Sequence, residues 1–356
     1  MKNKIYVMTF TAISLLMMAV NAFVNYKYDL YAVFDKDFTK PRYVFVNERY
    51  AKMDYLLHEG WGKYDTFIFG SSRAWGINPK QISSTAYNLC YSAGLPSDFV
   101  RDLKTLVKND IRIKKIFLSL DEFHYKRLPE EVNSSVNFVG YGSDFENLKY
   151  KASLLLRCPN KDTIKYVSGK LDSPKQVYNF TDDGTMHAEE SVEPKKEKVD
   201  WASYVADERF NKPTYNSEKN NRTDKTIAEI KEFKDICDKN GIELVVYMTP
   251  THITTYLSDD IDNLNNFKRK IAAITDFWDF SVINHVTTNN YYWMETSHVK
   301  WPVLVDVINV INGVGSSICE NFYVYVNKQN IEEHLENMKT EREQYLKRKH
   351  IQYVPK

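Results

Sequence analysis

The chain has 356 residues, and its 48 basic and 47 acidic side chains leave a formal net charge of +1. That balance excludes binding to nucleic acid through a basic face, which needs an excess of Lys and Arg to displace counterions. Hydrophobic residues make up 43% of the chain, enough for a sizeable core, and the length fits one α/β domain with insertions. The 25 Tyr, 19 Phe and 6 Trp supply flat amphipathic rings, which pack cores and line sugar clefts alike. Cys90, Cys158, Cys237 and Cys319 lie far apart with no Cys/His ligand spacing, so no metal site is expected. They suit two disulfides or buried thiols equally, and nothing in the chain calls for a cofactor.

In chain order, residues 5–24 form an uncharged run about as long as a bilayer's hydrocarbon core is thick. Lys2 and Lys4 precede it, which places the N-terminus in the cytoplasm and the remainder outside. Val20, Asn21 and Ala22 form a weak signal-peptidase site, but the apolar run continues past it, favouring an uncleaved anchor over residues 1–24. Residues 25–62 read as an aromatic juxtamembrane stretch feeding a first helix.

The α/β domain is expected over 63–325. Its first strand, 64–70, is apolar and ends in Gly70-Ser71-Ser72-Arg73. A second strand runs toward Gly94, followed by a helix with Ser97 as candidate N-cap, and 114–123 reads as a third strand. A helix at 224–241 with a glycine at its end, a strand at 242–250, another helix, a short strand at 277–281 and a last amphipathic helix complete the alternation. Such alternation predicts a parallel sheet covered by helices on both faces. The pattern is lost over about 126–223, read as an insertion that could cap the carboxyl edge of the sheet. The tail, 326–356, reads as a charged helix, solvated or packed as an arm.

A serine after a buried strand sits where α/β proteins place ligand chemistry. Here the block is neither a phosphate loop nor a Gly-x-Ser-x-Gly elbow, because Ala74 stands where the second glycine would be. A small-residue turn is the alternative. A nucleophilic serine needs a histidine base and an orienting carboxylate. Glu295 lies three residues before His298, just ahead of a helix, a spacing that brings the carboxylate to Nδ1 and leaves Nε2 facing out.

The Gly-x-Ser block after the first strand, the glycine after the second and the acidic-x-x-His block before the final helix resemble the SGNH (GDSL-type) hydrolase superfamily. The resemblance covers about 60–125 and 224–315 and implies a three-layer, flavodoxin-like α/β sandwich. It implies Ser72 as nucleophile, His298 as base, Glu295 as orienting acid, and the backbone N–H groups of Ser72 and Gly94 as oxyanion donors. Ser71, Arg73, Asp121 and His252 are candidates for the cleft, with Arg73 open to either a substrate carboxylate or a structural ion pair, and with a structural or surface role the favoured reading of His252 and His124. Asp121 stands where the family often has an Asn, and an ionised Asp cannot donate to an oxyanion. The anchor, the aromatic stretch after it and the Gly-Ser-Ser-Arg block resemble more closely a membrane-anchored branch tied to bacterial envelope polysaccharide modification. The expected activity is an esterase acting on acyl esters of a glycan. An O-acyltransferase with the same triad and a non-catalytic glycan-binding or assembly protein are the alternatives.

Overall fold

The computed structural model describes residues 2–29, 31–34, 46–127, 140–158, 161–170, 179–187, 200–213 and 222–349. Much of the expected insertion, and residues 350–356 of the tail, lie outside these. Helix α1, Lys2–Tyr28, is long and apolar enough to cross a membrane. Helix α2, Glu48–Leu57, is followed by strand β1, Thr66–Phe69, strand β2, Ala86–Asn88, helix α3, Pro96–Lys108, and strand β3, Lys115–Leu120. The described part of the insertion holds α4, Asp144–Leu155, α5, Lys161–Val167, a two-strand ribbon of β4, Asn179–Phe180, and β5, Met186–His187, and α6, Trp201–Val205. Then come α7, Thr223–Lys239, β6, Glu243–Met248, α8, Ile253–Ser258, α9, Ile261–Ala272, β7, Phe277–Asp279, α10, Trp301–Ile311, β8, Val324–Val326, and α11, Ile331–Arg348.

Six strands form one sheet in the order β2-β1-β3-β6-β7-β8. The first five are mutually parallel, with Phe69 opposite Leu118 and Leu120 opposite Met248. The central β1 and β3 are short, largely apolar and almost wholly buried, as expected for strands covered on both faces. Alternate side chains feed two cores. Phe67, Phe69, Leu118 and Met248 meet Phe99 of α3, Phe233 of α7 and Phe267 of α9, whereas Ile68, Phe117 and Tyr247 meet Val303 and Val307 of α10.

Two details differ from the sequence reading, and a third is decided. β8 joins the sheet edge antiparallel to β7, pairing Val326 with Phe277, so the sheet is mostly rather than wholly parallel. Ser97 does not cap α3: Leu95 is the N-cap and Pro96, whose fixed φ suits a first helical turn, starts the helix. Of the two readings of the tail, the packing arm holds, because α11 places Leu335 and Met338 in the same core as the sheet.

Candidate active site

The carboxyl ends of the parallel strands deliver the chemistry-bearing loops to one edge. β1 ends at Gly70, where a Cβ would lie 2.7 Å from the Ser119 Cβ of β3, so only glycine lets the two backbones approach this closely. A tight turn follows, with the Ala74 N–H donating to the Ser71 carbonyl at 3.1 Å. This turn buries Ser71 and Arg73 and leaves Ser72 between them partly open to solvent. Asn88, buried at the end of β2, donates to the carbonyls of Ala74, Trp75 and Ile77 and fixes the turn from below.

His298 arrives on a hairpin closed by the antiparallel bridge between Trp293 and Val299. Its Nε2 lies 2.8 Å from Ser72 Oγ, although the two residues are 226 positions apart. Glu295 Oε1 accepts from His298 Nδ1–H and from the His298 backbone N–H, and Oε2 accepts from the Ser297 N–H at 2.7 Å. The carboxylate therefore fixes the tautomer that leaves Nε2 free to accept the serine proton. Trp75 stacks on the imidazole at 5.6 Å between centroids. The described part of the insertion supports the hairpin, with Tyr204 Oη–H donating to the Trp293 carbonyl and Thr296 Oγ1–H to that of Lys212.

The expected cleft residues divide. Arg73 is buried in a bidentate pair with Glu122 and its Nε donates to Ser297 Oγ, so it ties the serine turn to the histidine hairpin. Burial alone would raise the Glu122 carboxyl; the Arg73 guanidinium outweighs it and holds the group below its ordinary value. Asp121, also buried, accepts from Ser71 Oγ–H at 2.6 Å and from Thr249 Oγ1–H, which commits both carboxylate oxygens behind the site. His252 does not border a cleft: it is buried, N-caps α8, and its Nε2–H donates to Asn290 Oδ1 at 2.8 Å.

The oxyanion expectation also needs correcting. Tyr91 to Gly94 form a turn with Ala93 in the left-handed region at φ 53°, and the Gly94 N–H donates to the Tyr91 carbonyl at 3.2 Å. Gly94 serves instead through close packing, since a Cβ there would lie 3.0 Å from the Gly70 carbonyl oxygen and 2.7 Å from the Phe99 ring. Of the two expected donors, the Ser72 N–H is the one that makes no hydrogen bond among the described residues.

Several supporting residues escaped the sequence reading. Buried Glu48 accepts from the Ser92 N–H and Oγ–H, and buried Lys52 donates to the Cys90 carbonyl, so α2 holds the loop before Gly94. Burial raises the Glu48 carboxyl and lowers the Lys52 ammonium to about 8, each partly offset by the other's charge. Neutral His124 accepts from the Asp121 N–H at Nδ1 and donates from Nε2 to the Gly94 carbonyl, and burial lowers its proton affinity. His124, unlike Glu48 and Lys52, stands out in the sequence after the third strand, and it takes a structural role there. The four cysteines are free thiols, with Cys90 and Cys237 buried. A cavity of about 420 Å³ lined by Val282, Tyr323, His334 and Glu341 does not include the Ser72 group. Among the described residues, no cluster of His, Cys, Asp and Glu suits a metal ion. Comparison with known proteins finds no family model that matches the chain and no match among curated proteins.

Proposed function

We propose that the chain is a serine acyl-transfer enzyme of the SGNH type, with the three-layer sandwich of that superfamily, tethered by α1 with its globular part outside the cytoplasm. The observation that carries this reading is the Ser72 Oγ to His298 Nε2 contact of 2.8 Å, backed by Glu295 on Nδ1. In the first step His298 takes the Ser72 hydroxyl proton while Oγ attacks an ester carbonyl carbon. The Ser72 N–H, which makes no hydrogen bond among the described residues, is the candidate donor to the developing oxyanion. Collapse breaks the ester C–O bond, and His298 returns the proton to the departing alcohol. Water then attacks the acyl-serine with the same histidine as base, releasing a carboxylic acid and regenerating the serine.

The acyl ester of an envelope polysaccharide is the proposed substrate, and a sugar hydroxyl replacing water in the second step would make the enzyme an O-acyltransferase. The committed Gly94 N–H favours a second reading, a glycan-binding protein that has kept the sheet but lost turnover. The test is labelling of the purified full-length chain with a fluorophosphonate, followed by p-nitrophenyl acetate turnover with and without an acceptor glycan. Labelling at Ser72, lost in Ser72→Ala, supports the enzyme. No labelling and no turnover select the binding protein, and acyl transfer faster than hydrolysis selects the transferase.

A further inference from the structure

The carboxyl end of α4 is fastened to α1. A helix leaves its last carbonyls without intrahelical partners. Here Asn25 Nδ2, fully buried, lies within 3.1 Å of the carbonyls of Leu154, Leu155 and Arg157, and Asn21 Nδ2 reaches Leu155 and Arg157 at 3.3 and 3.2 Å. Asn21 lies inside the apolar run 5–24, so these carbonyls stand level with the last turn of that run. At 1.5 Å per residue, the attachment is within about 5 Å of its end. Tyr166 of α5 meets Tyr28 edge-on at the same place, 6.0 Å between centroids.

The two faces of α4 differ in a way this attachment explains. Its inner side buries Asn147 and Leu154, and Tyr150 packs on Tyr50 of α2. Its outer side carries Phe145, Leu148 and Leu156, spaced as one helical stripe and exposed by 75, 67 and 50%, and α5 adds Ile164 at 58%. Residues 144–170 carry six basic side chains against three acidic ones, a balance that suits anionic headgroups.

Resting on the reading of α1 as a bilayer span, we propose that the outer stripe of α4, with Ile164, lies in the headgroup region of the same membrane. The globular part would then have two attachments, a span and an in-plane helix. Because α4 packs on α2, and α2 holds the Cys90 to Gly94 loop, this second attachment would also fix how the Ser72 edge faces the bilayer.

The test uses the full chain, with Cys158 and Cys319 replaced by Ser, in nanodiscs of phosphatidylethanolamine and phosphatidylglycerol holding one copy each. Separate variants carry a nitroxide at Leu148→Cys, at Leu15→Cys within the span, and at Val314→Cys as an exposed reference. We expect a water-borne relaxation agent to reach the Leu148 label at least ~5-fold less than the Val314 label, and oxygen dissolved in the lipid to reach it more, as for an interfacial helix. Equal water access at Leu148 and Val314, with Leu15 in lipid, overturns the second attachment while leaving the span. A Leu15 label in water removes the span itself and the inference with it. Shielding of Leu148 from both agents, with spin–spin broadening in discs holding two copies, overturns the proposal in favour of a contact between copies.

Discussion

Replacing Asp121 with Asn separates two accounts of the third loop. If Asp121 merely occupies the place of an oxyanion donor, restoring Asn should raise acylation of Ser72 by about 10²-fold, the usual value of one such donor. The geometry argues otherwise: Asp121 is buried behind Ser71, itself fully buried, and both its oxygens accept hydroxyl hydrogens, from Ser71 and Thr249. Asn removes the charge and turns one acceptor into a donor, so one hydroxyl must reverse and the other loses a charged partner. A hydrogen bond to a charged group contributes about 1.5–3 kcal/mol and a neutral one about 0.5–1.5, so downgrading two costs about 2 kcal/mol. Urea unfolding of Asp121→Asn should show that loss, and the fluorophosphonate labelling rate should stay within about threefold, well short of a donor's worth. A tenfold or greater rise in labelling with unchanged unfolding would refute the scaffold role.

Three further outcomes follow from the same contacts. Glu295→Gln removes the acceptor that fixes the His298 tautomer and should lower p-nitrophenyl acetate kcat by about 10³-fold or more, while Glu295→Asp should recover part of it. Burial holds the proton affinities of His124 and His252 below the ordinary histidine value. The unfolded chain therefore binds protons that the fold refuses, and stability falls as pH drops below 6.5 toward the folded values, by up to about 1.4 kcal/mol per pH unit for each group. Urea midpoints at pH 7.5 and 5.5 should converge in His124→Gln, and an undiminished slope would count against this assignment. Lys268→Met removes one of the two basic partners of the buried Asp279 carboxylate, which burial would raise but Lys268 and His334 together hold well below the ordinary range, and should cost about 3 kcal/mol by thermal or urea unfolding.

β1, β3 and β6 were legible as short, largely apolar runs, and periodicity located the helices that cover them. Glu295 and His298 were legible as a pair because their contact is local. That Ser72 meets them rests on a fold-level argument, since no local pattern links positions 226 residues apart. What escaped is instructive. Helix α2 has an ordinary charged composition, yet Glu48, Arg49, Lys52 and Asp54 are all buried, each answered by a partner from elsewhere. Composition reports charge, not whether a distant loop meets it. β8 is three residues long and gains its place only from the β7 edge, and the loss of the Gly94 N–H depends on a turn that only the backbone reveals.

Glu295 and His298 sit on one hairpin, whereas Ser72 follows the first strand of the sheet. The three side chains are thus carried on two short peptides, and the pair on the second is held by its own local hydrogen bonds. Between the two peptides lies the 126–223 excursion, which is not a neutral spacer: its residues 204–212 brace the hairpin through Tyr204 and the Lys212 carbonyl. Grafting of this site onto another sheet should therefore treat 293–299 as indivisible and carry the 204–212 brace with it.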